Sequence, residues 1–287
     1  MGQQGVRPER FPGPGYNIIN CNQTTSPMSQ LPDKYSRSAI LNPVKLRKGQ
    51  TRWNQCAAAV RDIDAALLEG PMLDLGSGVG YFVREGLQRG LNIWGVDASA
   101  GKLVRFCKLV HYTGGPARWQ QRCLQADAED LPFGSDSFAL VSSWYVLEHQ
   151  RNPGVSLREL ARVTRPGGVL AIKAQDARRG WEGHCKIPWI PFLSRRMARV
   201  WAEEFGAAIE RRDDVYDVTQ PQVVAILENL GCEVVVRAAP PQAVLPDHWR
   251  IGTEDDVRRA ARHIRELQET GRWRPPPENL YLYAVKR

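Results

Sequence analysis

The sequence predicts an α/β fold, a doubly wound parallel sheet with helices between its strands. Three observations predict it. Short apolar runs alternate with helical segments from Met72 onward. A glycine-rich turn, Gly76-Ser77-Gly78-Val79-Gly80, follows the first apolar run directly. The 287 residues, 43% of them apolar, also supply enough surface to bury for one large core.

The elements follow in chain order. Residues 1–48 are rich in Pro, Gly, Gln, Asn and Ser and show little periodicity, so they read as an extended or partly disordered arm. The domain proper is expected over 49–287. Ala57, Val60, Ile63 and Leu67 form an apolar stripe at helical spacing, which predicts a helix over 50–68 ending at Gly70. Strands are expected at 72–75, 92–96, 123–126, 139–143 and 169–174, with helices at 79–89, 100–112 and 156–164. The stretch Arg165-Pro166-Gly167-Gly168 reads as a turn into the fifth strand. Such alternation means parallel strands joined by right-handed crossovers. After Lys173 the pattern breaks. Residues 176–215 are too long for a connection and too aromatic for a linker, and read as an inserted lid. A helix at 220–230 and a strand at 233–237 resume the alternation. A second insertion, 239–277, holds a charged helix near 254–270, and 279–286 closes the sheet.

Composition narrows the function classes. No apolar run approaches the roughly 20 residues that span a bilayer, and the N-terminus lacks the apolar segment of a signal peptide. A cytoplasmic protein with no membrane span is therefore expected. The net charge of +8 is scattered rather than run together, so it permits an anionic partner without requiring one. Cysteines 21, 56, 107, 123, 185 and 232 contain no C-x-x-C pair, and read as reduced buried thiols rather than a metal or disulfide framework.

The turn poses a chemical question. A glycine turn after a strand usually brings backbone N–H groups to a phosphate. Here Asp74 stands two residues before the first glycine, in the order D-x-G-x-G-x-G, and a carboxylate there would repel phosphate. S-adenosylmethionine resolves the conflict, because it carries an α-ammonium and a sulfonium and no phosphate. Gly76, Ser77, Gly78 and Gly80 would let it lie against the backbone. Asp97, at the end of the second strand, suits the two ribose hydroxyls, with helix capping as the competing role. Asp127, after the third strand, suits the adenine amino group, with a solvated loop carboxylate as the competing role.

With these residues in view, the chain resembles the class I S-adenosylmethionine-dependent methyltransferases, in the group with the ubiquinone-biosynthesis-like motif set. The matching pieces are LDLGSGVG, VDAS, QADAEDLPF, SDSFALV, VLEH and LARVTRPGGVL, in family order over about residues 70–175. The resemblance implies a Rossmann-like seven-stranded sheet of order 3-2-1-4-5-7-6, with 279–286 as its antiparallel seventh strand. It implies S-adenosyl-L-methionine as cofactor, held by Asp74, Gly76, Ser77, Gly78, Gly80, Asp97, Ala98, Asp127, Ala128 and Trp144.

On the acceptor side the candidates are His149, after the fourth strand, and His184, at the start of the lid. A hydroxyl acceptor needs such a base, because a neutral alcohol is a poor nucleophile. Relatives carry Glu-x-x-Glu-His at the first of these places. Tyr145 stands where the first Glu would be, so no metal site is expected. Trp53, Tyr35, Trp144, Tyr145 and Trp181 are candidate pocket aromatics, and the apolar lid stretch 187–193 would either line the pocket or pack against the core or a partner subunit. The expected function is methylation of a small molecule, glycan or lipid, at oxygen. An RNA methyltransferase, or a non-catalytic cofactor-binding regulator, are the alternatives. No specific nucleic acid is expected as partner, and a homodimer stays open.

Overall fold

The computed structural model describes residues 33–237, 251–274 and 280–287. Most of the expected arm, Cys21 and much of the second insertion lie outside the described residues. In chain order the elements are α1 (Arg37–Ile40), α2 (Pro43–Asp64), β1 (Met72–Leu75), α3 (Tyr81–Gln88), β2 (Ile93–Asp97), α4 (Ala100–Tyr112), β3 (Cys123–Gln125) and β4 (Phe138–Trp144). There follow α5 (Pro153–Val163), β5 (Thr164–Ala174), β6 (Trp181–Glu182), β7 (Ile187–Pro188), α6 (Arg195–Glu204), α7 (Gln220–Asn229), β8 (Cys232–Arg237), α8 (Glu254–Glu269) and β9 (Leu280–Lys286). Seven strands form one sheet in the order β3-β2-β1-β4-β5-β9-β8, the order expected, with β6 and β7 as a separate pair. The chain divides into two compact units, 1–142 with 162–169, and 143–161 with 170–287.

In the first unit β1, β2 and β3 are parallel, Asp74 opposite Gly95 and Asp97 opposite Gln125. Every residue of β1 is buried, as a central parallel strand requires. Two α-helices, α1 and the start of α2, occupy residues read from composition as arm. Asn42 accepts hydrogen bonds from the N–H groups of Val44 and Lys45, and Pro43 takes the first helical position, so α2 starts seven residues earlier than its apolar stripe suggests. Proline here opens a helix rather than breaking one. Helix α2 packs closely on α3 at Gly49, where a Cβ would lie 2.8 Å from that of Tyr81. Trp53 meets Phe82 four residues on, their ring centroids 5.3 Å apart.

In the second unit β8 and β9 are antiparallel, with a bulge between Val234 and Val236. The two insertions share one core. Val257, Ala260, Ala261 and Ile264, one face of α8, pack with Ala198, Trp201 and Ala202 of α6 and with Cys185, Ile187 and Trp189. Trp201 Nε1 donates to the Pro188 carbonyl at 2.7 Å, satisfying its polar edge within that core. Asp217 ties the lid together, accepting from Trp189 Nε1 (3.2 Å), Phe192 N–H (2.5 Å) and Arg212 (2.7 Å). Of the two fates open to the lid stretch, Ile187 and Trp189 take the core, while Phe192 at its tip is exposed.

Three local differences from expectation have physical reasons. Strand β5 begins at Thr164 and runs through the stretch expected as a turn, which survives as a left-handed Gly167 (φ 74°) inside the strand. Helix α5 begins at Pro153, again with proline in the first turn. Cys56, Cys123, Cys185 and Cys232 are buried thiols, whereas Cys107 is disulfide-bonded, contrary to the reading from spacing. Disulfides depend on Cα separation in space, which spacing in sequence does not report. Among the described residues no helix is long and apolar enough to cross a membrane.

Candidate functional site

The glycine turn of the first unit is built by backbone conformation. Gly76, Gly78 and Gly80 have φ of 68°, 60° and 77°, the left-handed region that side chains resist. They need glycine for different reasons. A Cβ on Gly80 would stand 2.2 Å from the Phe106 ring, whereas one on Gly78 would meet nothing within 4 Å. The face at Gly78 is thus open, as a ligand cradle must be. Ser77 stitches the turn to the sheet through its N–H to Val96 O (2.9 Å).

Asp74 lies within β1 and is 2% exposed. Its Oδ1 accepts from Ser142 Oγ of β4 at 2.7 Å. Burial pushes the Asp74 carboxyl up to about 7, against the pull of Ser142 and Arg52 and with a further push from Asp97. Asp97 accepts from Gly78 N–H (2.8 Å) and Ser99 N–H (2.9 Å), with Lys102 Nζ at 3.4 Å. It therefore ties the turn to β2 and holds Ser99, the residue before α4, in place. A carboxylate offers about four lone-pair sites, so capacity remains for hydroxyl donors.

The other cofactor candidates fall after β2 and β3. The Ala98 carbonyl accepts from Gln125 Nε2 at 3.0 Å, linking the ends of the two strands. Asp127 is exposed and accepts from Glu129 N–H at 2.9 Å in a local turn, while Ala128 is buried. All of these lie in the first unit. Trp144 lies in the second, buried, with its ring 6.5 Å from that of Tyr281.

The second unit carries the acceptor-side candidates, at the carboxyl ends of β4 and β5, where sheets of this kind bind ligands. Tyr145 has φ 60°, an unusual conformation for a tyrosine, held by its N–H to Lys173 O at 2.6 Å. The rings of His149 and His184 meet edge to face with centroids 5.2 Å apart. His149 Nδ1 bonds the Asp214 carbonyl (3.0 Å), and His184 Nδ1 bonds Glu182 Oε1 (2.8 Å). A carbonyl only accepts, so His149 Nδ1 carries a proton, and in the neutral ring Nε2 keeps its lone pair. Beside them Glu148 is 2% exposed, and burial pushes its carboxyl up to about 7 despite backbone hydrogen bonds and the charge of His184.

Asp176, buried just after β5, is a structural carboxylate: it accepts from Arg178 N–H, the Arg178 guanidinium and Gln220 N–H. Trp53 is buried between α2 and α3, with the Arg89 guanidinium 5.6 Å from its ring. Tyr35 OH stands 2.8 Å from the position of a Cβ on Gly101, at the start of α4. Trp181 stacks near Trp273 at 6.4 Å. Sequence reasoning missed Ser142, Glu148, Gln175 and Glu182. Two of them left a trace: Glu148 directly precedes His149 in VLEH, and Glu182 stands two residues before His184 with glycine between.

Residues 73–172 match the family model described as a methyltransferase domain. A malonyl-[acyl-carrier protein] O-methyltransferase of Halorhodospira halophila is 33% identical over 130 residues, 42% of this chain and 42% of that protein. The chain thus spans about two fifths of that relative's length. A demethylmenaquinone methyltransferase of Thermobifida fusca is 27% identical over 195 residues, 61% of this chain and 78% of that one. Among solved structures, a putative sarcosine dimethylglycine methyltransferase from Galdieria sulphuraria aligns over 83% of this chain and 86% of its own. The TM-score is 0.50 and the identity 14%, a likeness of fold.

Proposed function

We propose that this chain, which carries a class I S-adenosylmethionine-dependent methyltransferase domain, transfers a methyl group to oxygen of a small-molecule, glycan or lipid acceptor. The observation that carries this reading is Asp74. A buried carboxylate beside an open glycine turn, its pKa pushed up to about 7, disfavours phosphate and is completed by an ammonium. When bound, the cofactor supplies a methyl group on a sulfonium, already attached to a good leaving group. The work left to the chain is alignment, exclusion of water and removal of a proton.

In this reading Asp74 binds the α-ammonium, and the turn from Gly76 to Gly80 lets the ligand lie against the backbone. Asp97 takes ribose hydroxyls with the lone pairs its own N–H partners leave over. Ala98 lies beside it, and Asp127 and Ala128 take the adenine side. Oxygen is favoured over a nitrogen or carbon acceptor by the paired imidazoles at the ends of β4 and β5. An alcohol must lose a proton as it attacks, and His149 and His184 are the groups able to take it.

The test has two steps. Calorimetry with S-adenosylmethionine and S-adenosylhomocysteine should show binding of both. Methyl-tritiated cofactor is then incubated with the protein and a cell extract separated into polar metabolites, glycans, lipids and RNA. Label in one of the first three fractions supports the reading. Label in RNA, or binding with no transfer to any fraction, replaces it by one of the alternatives.

A further inference from the structure

We propose that Glu182 is a positioning residue for His184, fixing its proton on Nδ1 and making this ring, rather than His149, the proton acceptor. The inference deepens the reading above and rests on it. Its basis is a layered hydrogen-bond network within the second unit.

The Glu182 side chain is fully buried. Its Oε1 accepts from His184 Nδ1 (2.8 Å) and Gln175 Nε2 (3.0 Å), and its Oε2 accepts from Cys185 N–H (2.5 Å). Gln175 is itself oriented, since its Oε1 accepts from Gly183 N–H at 3.1 Å, which turns its amide N–H₂ toward Glu182. Burial by itself would push the Glu182 carboxyl up. The hydrogen bonds from Cys185, His184 and Gln175 outweigh it and hold the group below its usual range. Glu182 is therefore an ionised acceptor, and it can bond Nδ1 only if Nδ1 carries a proton. Nε2 of His184 is left with its lone pair on a ring that is 33% exposed.

The two histidines thus share a tautomer but differ in what stands behind them. His149 leans on a neutral carbonyl, His184 on a buried negative charge. When an imidazole takes a proton, only the second arrangement stabilises the imidazolium strongly. The other groups facing His184 are Glu148, His149 and Arg212, whose Nε lies 3.8 Å from Glu182 Oε1. Arg212 is engaged by Asp217 at 2.7 Å and lies over the Trp189 ring at 3.9 Å, so its charge is shared rather than directed at Glu182 alone.

The experiment is long-range ¹H–¹⁵N correlation NMR of the imidazoles in the full, cofactor-free chain, titrated from acid to alkaline pH. His184→Gln assigns the signals. The wild type should show the neutral His184 ring with its proton on Nδ1. Glu182→Gln, whose amide donates as well as accepts, should leave the neutral His184 ring a mixture of its two tautomers. In the label-transfer assay, the same variant should lower kcat by roughly 10²-fold with the KM for S-adenosylmethionine unchanged. A proton on Nε2 of wild-type His184 overturns the inference, and does so even if Glu182→Gln fails to fold. An unchanged tautomer in a folded Glu182→Gln protein overturns it equally. The underlying reading fails separately: absence of S-adenosylmethionine binding by calorimetry would remove it while leaving the tautomer result intact. Normal transfer by His184→Gln would remove the base role.

Discussion

Replacing Asp74 by Asn should make the protein more stable and less able to bind its cofactor, and the first effect should depend on pH in a calculable way. The carboxyl is 2% exposed and its pKa rises from 3.8 to about 7 on folding. A group whose folded pKa is raised stabilises the fold below its unfolded pKa, and that contribution is lost as pH climbs through the folded value. At 1.36 kcal/mol per unit, the wild type loses about 4 kcal/mol between pH 4 and pH 8 at this one site. Asn does not ionise, and its amide oxygen can still accept from Ser142, so it forgoes the loss without leaving that hydroxyl unpaired. Urea titrations of both proteins at several pH values isolate the effect, because other groups cancel in the difference. The advantage of Asp74→Asn should be near zero at pH 4, grow through pH 5 and 6, and level off above pH 7. Cofactor affinity shows the opposite requirement. Wild-type binding of S-adenosylmethionine should weaken as pH falls below about 7, where the carboxyl takes a proton. A stability difference that does not vary with pH, or a wild type more stable than Asp74→Asn at pH 8, would refute the reasoning.

Gly78→Ala and Gly80→Ala should separate ligand space from fold space. Both incur about 1–2 kcal/mol for a left-handed side chain, but only Gly80→Ala meets the Phe106 ring, so thermal denaturation should show it as clearly the less stable variant. Gly78→Ala should instead retain its fold and lose cofactor affinity in calorimetry. Asp97→Ala should weaken S-adenosylmethionine binding by about 1–3 kcal/mol, through lost ribose contacts and a turn no longer tied by the Gly78 N–H; unchanged binding in the folded variant would exclude Asp97 from the site. Generic RNA should bind weakly and be released near physiological salt, as few phosphate contacts imply. Many basic side chains of α6 and α8 are already paired, Arg196 with Glu254, Arg258 with Asp255 and Arg265 with Glu204. Tight RNA binding at that salt, in a filter assay, would overturn the small-molecule reading.

What the sequence discloses here, and what it withholds, follows from the range over which each feature is encoded. The sheet is legible because each β–helix–β unit carries its own periodicity and its own turn, and the crossovers leave little choice of hand. The glycine turn is legible for the same reason: Asp74, Gly76, Gly78 and Gly80 lie within seven residues. The start of α2 was written in Asn42-Pro43, a local signal outweighed by the composition around it. Features made by distant residues were closed to this kind of reading. Ser142 meets Asp74 across 68 positions, and no pattern in β4 distinguishes it from Ser143 beside it. The shared core of the two insertions joins Trp201 to Ile264, each on a helix that is amphipathic alone and names no partner. The Glu182–His184 pair is the instructive case. Its members are two residues apart, so proximity was available from the start, but proximity does not make a carboxylate ionised and immobile. That requires Gln175 from the end of β5, the N–H of Cys185 and complete burial of the side chain. Without them Glu182 would be a solvated loop carboxylate whose contact with His184 water would screen. The chemistry proposed for His184 thus depends on its surroundings more than on its residue type, and those surroundings are what the sequence does not report.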